Sequence, residues 1–532
     1  MKINLAIPHA FSLNQRTTIQ NLLGALGLAG CLLLGLAMSL HAEPIHTKLV
    51  VDGPPNFPLF AYKITPDGSH VVYMANGQNH QLFSVPIQGG AIITLNRPLP
   101  DHATVDRYWI TPDGAKVVYY ADQDAYFYKH LYVVPTAGGN TISLTADIPE
   151  GALVFPSGIS PDGKWVLYKI REDMSSQKPY RHREIRMVSI NGGESVVLAQ
   201  VSWRYLLGAI FTPDSKRVVF VDSQDTVTGT NELYSVAIDG GAPVKLSLPE
   251  HAVTVWQISP DSSKLYYWVS DSKFFSVPTA GGTPVEFTGI TAFRVGIRTF
   301  SADGSKVILT GTDSSGQLTQ LYVAPASGGA ATLIATINPP ENELTYLALT
   351  PDEQEVLFVA GSVFGDLGKR GAYRVPITGG AVTPVGPAGP YSVLAVSPAQ
   401  DYLFYSAHSS FPVAIDALVK LDIASGEVIT LDQASGIALN FSPDGNGIIY
   451  RASRAGDSVA RIYQASITAT QVTTVSVPID ASPSWSPSDL KIHDGKICVA
   501  YSFPTNFSLG DIYSSCFDAV WKHQVYLPVV AR

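Results

Sequence analysis

A tandem repeat constrains this chain more than any other feature. The segment KITPDGSHVVYMA returns as WITPDGAKVVYYA, GISPDGKWVLYKI, IFTPDSKRVVFVD and QISPDSSKLYYWV, then more loosely as FSADGSKVILTGT, ALTPDEQEVLFVA, AVSPAQDYLFYSA, NFSPDGNGIIYRA and SWSPSDLKIHDGK. With the proline or its substitute as marker, the ten copies stand at positions 66, 112, 161, 213, 260, 302, 351, 398, 443 and 487, separated by 42 to 52 residues. A second half-motif follows at a near-constant offset, as LFSVPIQGGA from Leu82, LYVVPTAGGN from Leu131, FFSVPTAGGT from Phe274 and LYVAPASGGA from Leu321. A period of this length marks one supersecondary unit stacked on copies of itself, because a single unit cannot bury its own apolar faces.

Each unit reads as apolar run, Pro-Asp-Gly turn, second run, variable loop, third run, Gly-Gly turn and a short fourth run. That is four strands. Proline presets φ for a turn, aspartate bonds the backbone ahead of it, and glycine accepts the positive φ that other residues resist. The recurring Asp67, Asp113, Asp162, Asp214, Asp261, Asp303, Asp352 and Asp444 are therefore turn formers rather than catalytic acids. Composition agrees with an all-β chain: 45 Gly and 37 Pro punctuate it, and only 15 % of residues are charged, fewer than long solvated helices use.

Tandem four-stranded units of this length are the signature of a β-propeller. The unit S/T-P-D-G with its following apolar run and L-Y-x-V-P-x-x-G-G resembles the WD40-like PD40 repeat of TolB-type propellers, over about residues 47 to 516. Ten copies imply one large ring or two smaller ones, and the run Thr47 to Val51 is placed to add an outer strand to the last blade. The domain reading is 1–42 signal peptide, 43–520 propeller array and 521–532 tail or last strand. Relatives of this kind also carry hydrolase domains, but this sequence holds no G-x-S-x-G, and the α/β domain expected ahead of a TolB propeller is missing.

Lys2 and Arg16 precede the uncharged stretch Leu22 to Leu40, with Ala42 as a small residue at a cleavage point. This pattern predicts an export signal and a secreted, periplasmic or cell-surface protein. Two rivals are an uncleaved membrane anchor and a lipoprotein box at Cys31, the second opposed by the apolar run that follows. The net charge of −9 lacks the positive field of a nucleic-acid binder, so no nucleic acid is expected, and a membrane only through an uncleaved leader. Three cysteines exclude a thiolate zinc ribbon. A hairpin about Phe507 sets Cys498 opposite Cys516, a disulfide candidate in an exported chain, with two buried thiols as the alternative.

Candidate ligand residues are positional. The resemblance implies that the loops joining strands two and three, and strand four to the next strand one, share the binding face. There Pro100-Asp101-His102-Ala103, Pro149-Glu150-Gly151-Ala152 and Pro249-Glu250-His251-Ala252 recur as links. Asp101, His102, Glu250 and His251 are either a channel-mouth cation or polyol site or, more simply, turn chemistry. The longest insertion, Arg171 to Arg186, offers Arg171, Arg181, His182 and Arg183 as carboxylate or sulfate contacts, against the plain alternative of a solvated loop. Trp109, Trp203, Trp256 and Tyr205 in or beside strand one read as core. The expected function is a non-catalytic propeller that binds a protein, peptide or glycan, with no cofactor. The competing class is a carbohydrate lyase or hydrolase with a metal at the acidic, histidine-bearing mouth.

Overall fold

The structure is a computed structural model. It describes residues 46–49, 59–76, 80–148, 151–172, 183–201, 208–223, 231–248, 253–269, 273–313, 315, 318–337, 344–360, 370–389, 391–408, 416–442, 444–454, 461–468, 473–474, 490–493, 496–505 and 508–517. All of these fall in one compact unit, His46–Arg532. The expected signal peptide, Cys31 and the tail lie outside the described residues.

The described elements are all strands, and the fold is a β-propeller. The second sheet shows how the repeat builds it: Val105–Ile110, Lys116–Ala125, Tyr128–Pro135 and Ile142–Ser143 pair antiparallel in sequence order. Strand two is apolar without a break from Val117 to Ala121 because both its faces are covered there. Val117 and Tyr119 pack with Val72 and Leu82 of the first sheet, whereas Val118 packs with Val154 and Val166 of the third. An aromatic pair recurs directly across strands two and three. Tyr73 stacks on Phe83, Tyr119 on Tyr132, Tyr267 on Phe275 and Tyr450 on Tyr463, each pair with ring centroids 5.3 Å apart. Such offset pairs add to the area that burial already removes from water.

The hydrophobic clusters of the described residues each span two sheets that follow one another in sequence, with one exception that joins the chain's ends. In that cluster Ile64, Val71 and Val85 of the first sheet pack with Leu49 and Cys498. The last sheet runs Leu490–His493, Lys496–Thr505 and Ser508–Phe517, and its outer strand is His46–Lys48, through His46↔Ser515 and Lys48↔Tyr513. The amino-terminal run thus adds to the last blade. Leu509 also pairs with Leu59 of the first sheet.

Pro487, the marker of the tenth copy, lies outside the described residues, and the first described pairing of the last sheet sets His493 opposite Lys496.

The Pro-Asp-Gly turns are held identically. In the second sheet Thr111 Oγ1 donates to Asp113 Oδ1 at 2.6 Å, which also accepts the Ala115 N–H at 3.0 Å, while Thr111 Oγ1 accepts the Lys116 N–H at 2.9 Å. Ser259 and Asp261, Ser301 and Asp303, and Thr350 and Asp352 repeat this pattern. Four copies place a non-glycine at the positive-φ position: Ser215, Ser262, Glu353 and Gln400. Three of them reach the preceding turn. Ser215 Oγ accepts the Asp162 N–H at 3.0 Å, Ser262 Oγ the Asp214 N–H at 2.9 Å, and Glu353 the N–H of Ala302, the copy where proline is absent.

Those hydrogen bonds hold the turn carboxyls below the usual range. The Thr111 hydroxyl and then the Ala115 N–H lower Asp113, and the Ser301 hydroxyl and Ser305 N–H bring Asp303 down to about 2. A carboxyl depressed in the folded state contributes stability that is complete above its unfolded pKa and is lost as pH falls through the folded value. The unfolding midpoint should therefore drop between about pH 4 and pH 2. Asp303→Asn should flatten that slope, and a slope unchanged by this substitution would mean that the turns do not set it.

Candidate functional site

On the loop side of the second sheet, the hairpin Lys116–Ala125 to Tyr128–Pro135 carries an irregularity between Ala121 and Ala125. The three polar residues in that irregularity tie the hairpin to the link entering strand one. Buried Asp122 accepts the Thr104 N–H on Oδ1 at 2.6 Å and the Phe127 N–H on Oδ2 at 3.2 Å. Gln123 Oε1 accepts from the Tyr119 hydroxyl at 2.8 Å and from the Arg97 N–H at 3.3 Å. Asp124 accepts from the Tyr132 hydroxyl at 2.8 Å and pairs with Arg97 at 3.1 Å. Burial and that carboxylate together push the Tyr132 phenol far above its ordinary pKa, so it stays a donor.

Asp101 and His102 form the middle of a turn closed by the Ala103 N–H on the Pro100 carbonyl at 3.1 Å, and both are exposed. His102 sits at φ 65°, and its ring lies 6.0 Å from that of Tyr126 at the hairpin tip. The turn reading of the Pro-Asp link thus accounts for its backbone, while its side chains face outward beside an aromatic.

Arg171 is the last residue but one of strand two of the third sheet, its guanidinium over the Phe155 ring at 5.4 Å, and its backbone pairs with Arg183 at the start of strand three. Arg181, His182, Glu250 and His251 lie outside the described residues, as do Glu150, Trp203 and Tyr205. The structure therefore brings Asp101 and His102 together with Tyr126, and Arg171 together with Arg183. Arg186, counted within the basic insertion, instead belongs to strand three: its Nε donates to Glu184 Oε2 at 2.7 Å and its Nη1 to Ser195 Oγ at 2.9 Å. Trp109 and Trp256 pack against the inter-sheet clusters, which is the core reading.

Sequence reasoning passed over the tip itself. Phe127 is 72 % exposed, Tyr128 50 % and Tyr126 43 %, and Phe127 holds φ 72°. The signal was present as Tyr-Phe-Tyr at a hairpin tip, where glycine, asparagine or aspartate is the usual choice. Among the described residues no group of three or more His, Cys, Asp or Glu is placed to hold a metal ion.

No family model matches the chain, and no curated protein matches it. Among solved structures it is similar to a eukaryotic initiation factor at 13 % identity, covering 79 % of this chain and 96 % of that one with a TM-score of 0.45. It is similar to an oligogalacturonate lyase in complex with manganese at 18 % identity, covering 63 % of this chain and 96 % of that one with a TM-score of 0.34. It is also similar to a putative TolB from Agrobacterium tumefaciens at 17 % identity, covering 53 % of this chain and 81 % of that one with a TM-score of 0.27. At such identities and scores no activity, substrate or partner passes from those proteins to this one.

Proposed function

We propose that this chain is an exported, non-catalytic β-propeller, its ten repeats arranged in a single circuit, that binds a protein, peptide or glycan on its loop face. The observation that carries this reading is the contrast between the two ends of the blades. The Pro-Asp-Gly turns repeat one satisfied hydrogen-bond pattern from sheet to sheet. In sequence the loops at the other end differ from repeat to repeat, and in the second sheet the described ones present anchored, exposed aromatic and charged side chains. Rigid elements carrying variable loops are how scaffolds present recognition groups. Export rests on the amino-terminal pattern, and a mature protein starting near Glu43 is its direct consequence.

Arrays of glycans and peptides probed with the full mature chain test the reading. Arg181→Ala with Arg183→Ala is expected to weaken the selected ligand about 10- to 100-fold, the value of a charged hydrogen bond. Lys164→Ala, a largely exposed residue in the turn at the opposite end of the third sheet, is expected to bind as the unsubstituted protein does. The reverse result, loss with Lys164→Ala and none with the arginine pair, would assign binding to the other face.

A further inference from the structure

We propose that the aromatic tip Tyr126-Phe127-Tyr128, together with Asp101 and His102, is a stacking platform for a neutral oligosaccharide. The inference rests on the loop-face reading above and names the ligand class and the residues. Six non-glycine residues among those described hold positive φ. Four of them are the repeated turn position. The other two are His102 and Phe127, which stand on neighbouring loops joined by the His102–Tyr126 ring contact. Unfavourable backbone of this kind persists only where the surroundings enforce it, and here they do. The single buried carboxylate of Asp122 accepts an N–H from each loop, from Thr104 and from Phe127. The effect is to hold Phe127 outward, where its ring gains nothing from the core.

An exposed aromatic surface fits two broad kinds of ligand, and its rim distinguishes them. Protein contacts centre aromatic anchors in a surface that excludes water. This tip is flanked instead by charged pairs, the half-exposed Arg97 with Asp124 and the partly covered Lys129 with Asp106, and by the exposed carboxylate of Asp101. A pyranose ring is two-sided in the matching way: its C–H face covers an aromatic ring while its equatorial hydroxyls donate to carboxylates and accept from guanidinium and imidazole. Tyr126 and Phe127, with centroids 3.9 Å apart at an interplanar angle of 40°, pack on one another into a single exposed aromatic wedge, whose outer ring face is the surface offered to a sugar. The acidic chain, net −9, and Asp101 at the rim favour a neutral saccharide over an anionic one.

The test is calorimetric titration of the full mature chain with cellohexaose, maltohexaose and chitohexaose, alongside a peptide array. At least one hexasaccharide is expected to bind, and Phe127→Ala is expected to weaken it tenfold or more. Phe127→Gly separates binding from folding, because glycine accepts φ 72° without strain: its unfolding midpoint should hold or rise while binding is lost. A structural role for the ring would instead lower the midpoint. Binding of none of the three sugars, or full binding by Phe127→Gly, overturns the proposal. If a hexasaccharide binds and only Arg181→Ala with Arg183→Ala weakens it, the platform fails and the loop-face reading stands; if Lys164→Ala abolishes it, both fall. Loss of peptide binding in Phe127→Gly, with the sugars ignored, would make the tip a protein contact and the glycan assignment wrong.

Discussion

Gly281→Ala should destabilise the folded protein by about 2–4 kcal/mol, and Gly138→Ala by about as much. Both residues open a Gly-Gly turn with positive φ, +104° and +84°. Both also face an apolar side chain from the outer strand of the preceding sheet: a Cβ on Gly281 would lie 2.6 Å from Val244 Cγ1, and one on Gly138 2.7 Å from Ile93 Cγ2. Gly192 with Ile142 and Gly328 with Val285 repeat the arrangement. The Gly-Gly motif is thus a socket between sheets as well as a turn. Gly240 offers an internal comparison, since its φ is +110° but nothing lies within 4 Å of its missing Cβ. Gly240→Ala should therefore show only the backbone part, about 1–2 kcal/mol. Adding Val244→Ala to Gly281→Ala should remove the steric part, so the two substitutions should be strongly non-additive in urea unfolding. Equal losses at Gly240 and Gly281 would show that the socket contributes nothing.

Much of this architecture was legible because the repeat states its elements again and again along the chain. The Thr/Ser-Pro-Asp-Gly turn carries its own hydrogen-bond scheme, so Asp113 or Asp303 could be placed from chemistry alone. The closing role of the amino-terminal run was likewise legible from an unpaired strand before the first copy. What stayed hidden depends on partners distant in sequence. The glycine at 281 looks like turn chemistry until Val244 is seen against it, and Arg186 looks like a loop cation until Glu184 and Ser195 take it. At the site, Asp101 and His102 were visible as a turn. The aromatic tip beside them was not, since only the Asp122 carboxylate, which accepts the Phe127 N–H, explains why Phe127 points away from the core.

Removing the disulfide should cost about 3 kcal/mol, with the damage concentrated where the chain's ends meet. Cys498 and Cys516 are bonded across the last hairpin, directly opposite one another and 18 residues apart in sequence. The strand Ser508–Phe517 bonds Lys496–Thr505 on one side and His46–Lys48 on the other, and through Leu509 it reaches the first sheet. The covalent link therefore constrains, in the unfolded chain, the element that joins last sheet to first. Cys498 is itself buried among Ile64, Val71 and Val85, so a serine hydroxyl there would lack the apolar fit of the sulfur. Cys498→Ala with Cys516→Ser avoids that added penalty, and reduction of the unsubstituted protein gives an independent comparison. Both should lower the urea midpoint, and amide exchange should rise first in 46–48 and 508–517 while the strand Lys116–Ala125 keeps its protection. Exchange that instead rises evenly over all sheets would mean that the sheets open as one cooperative unit, and an unchanged midpoint in both preparations would mean that the inter-sheet packing alone holds the ends together.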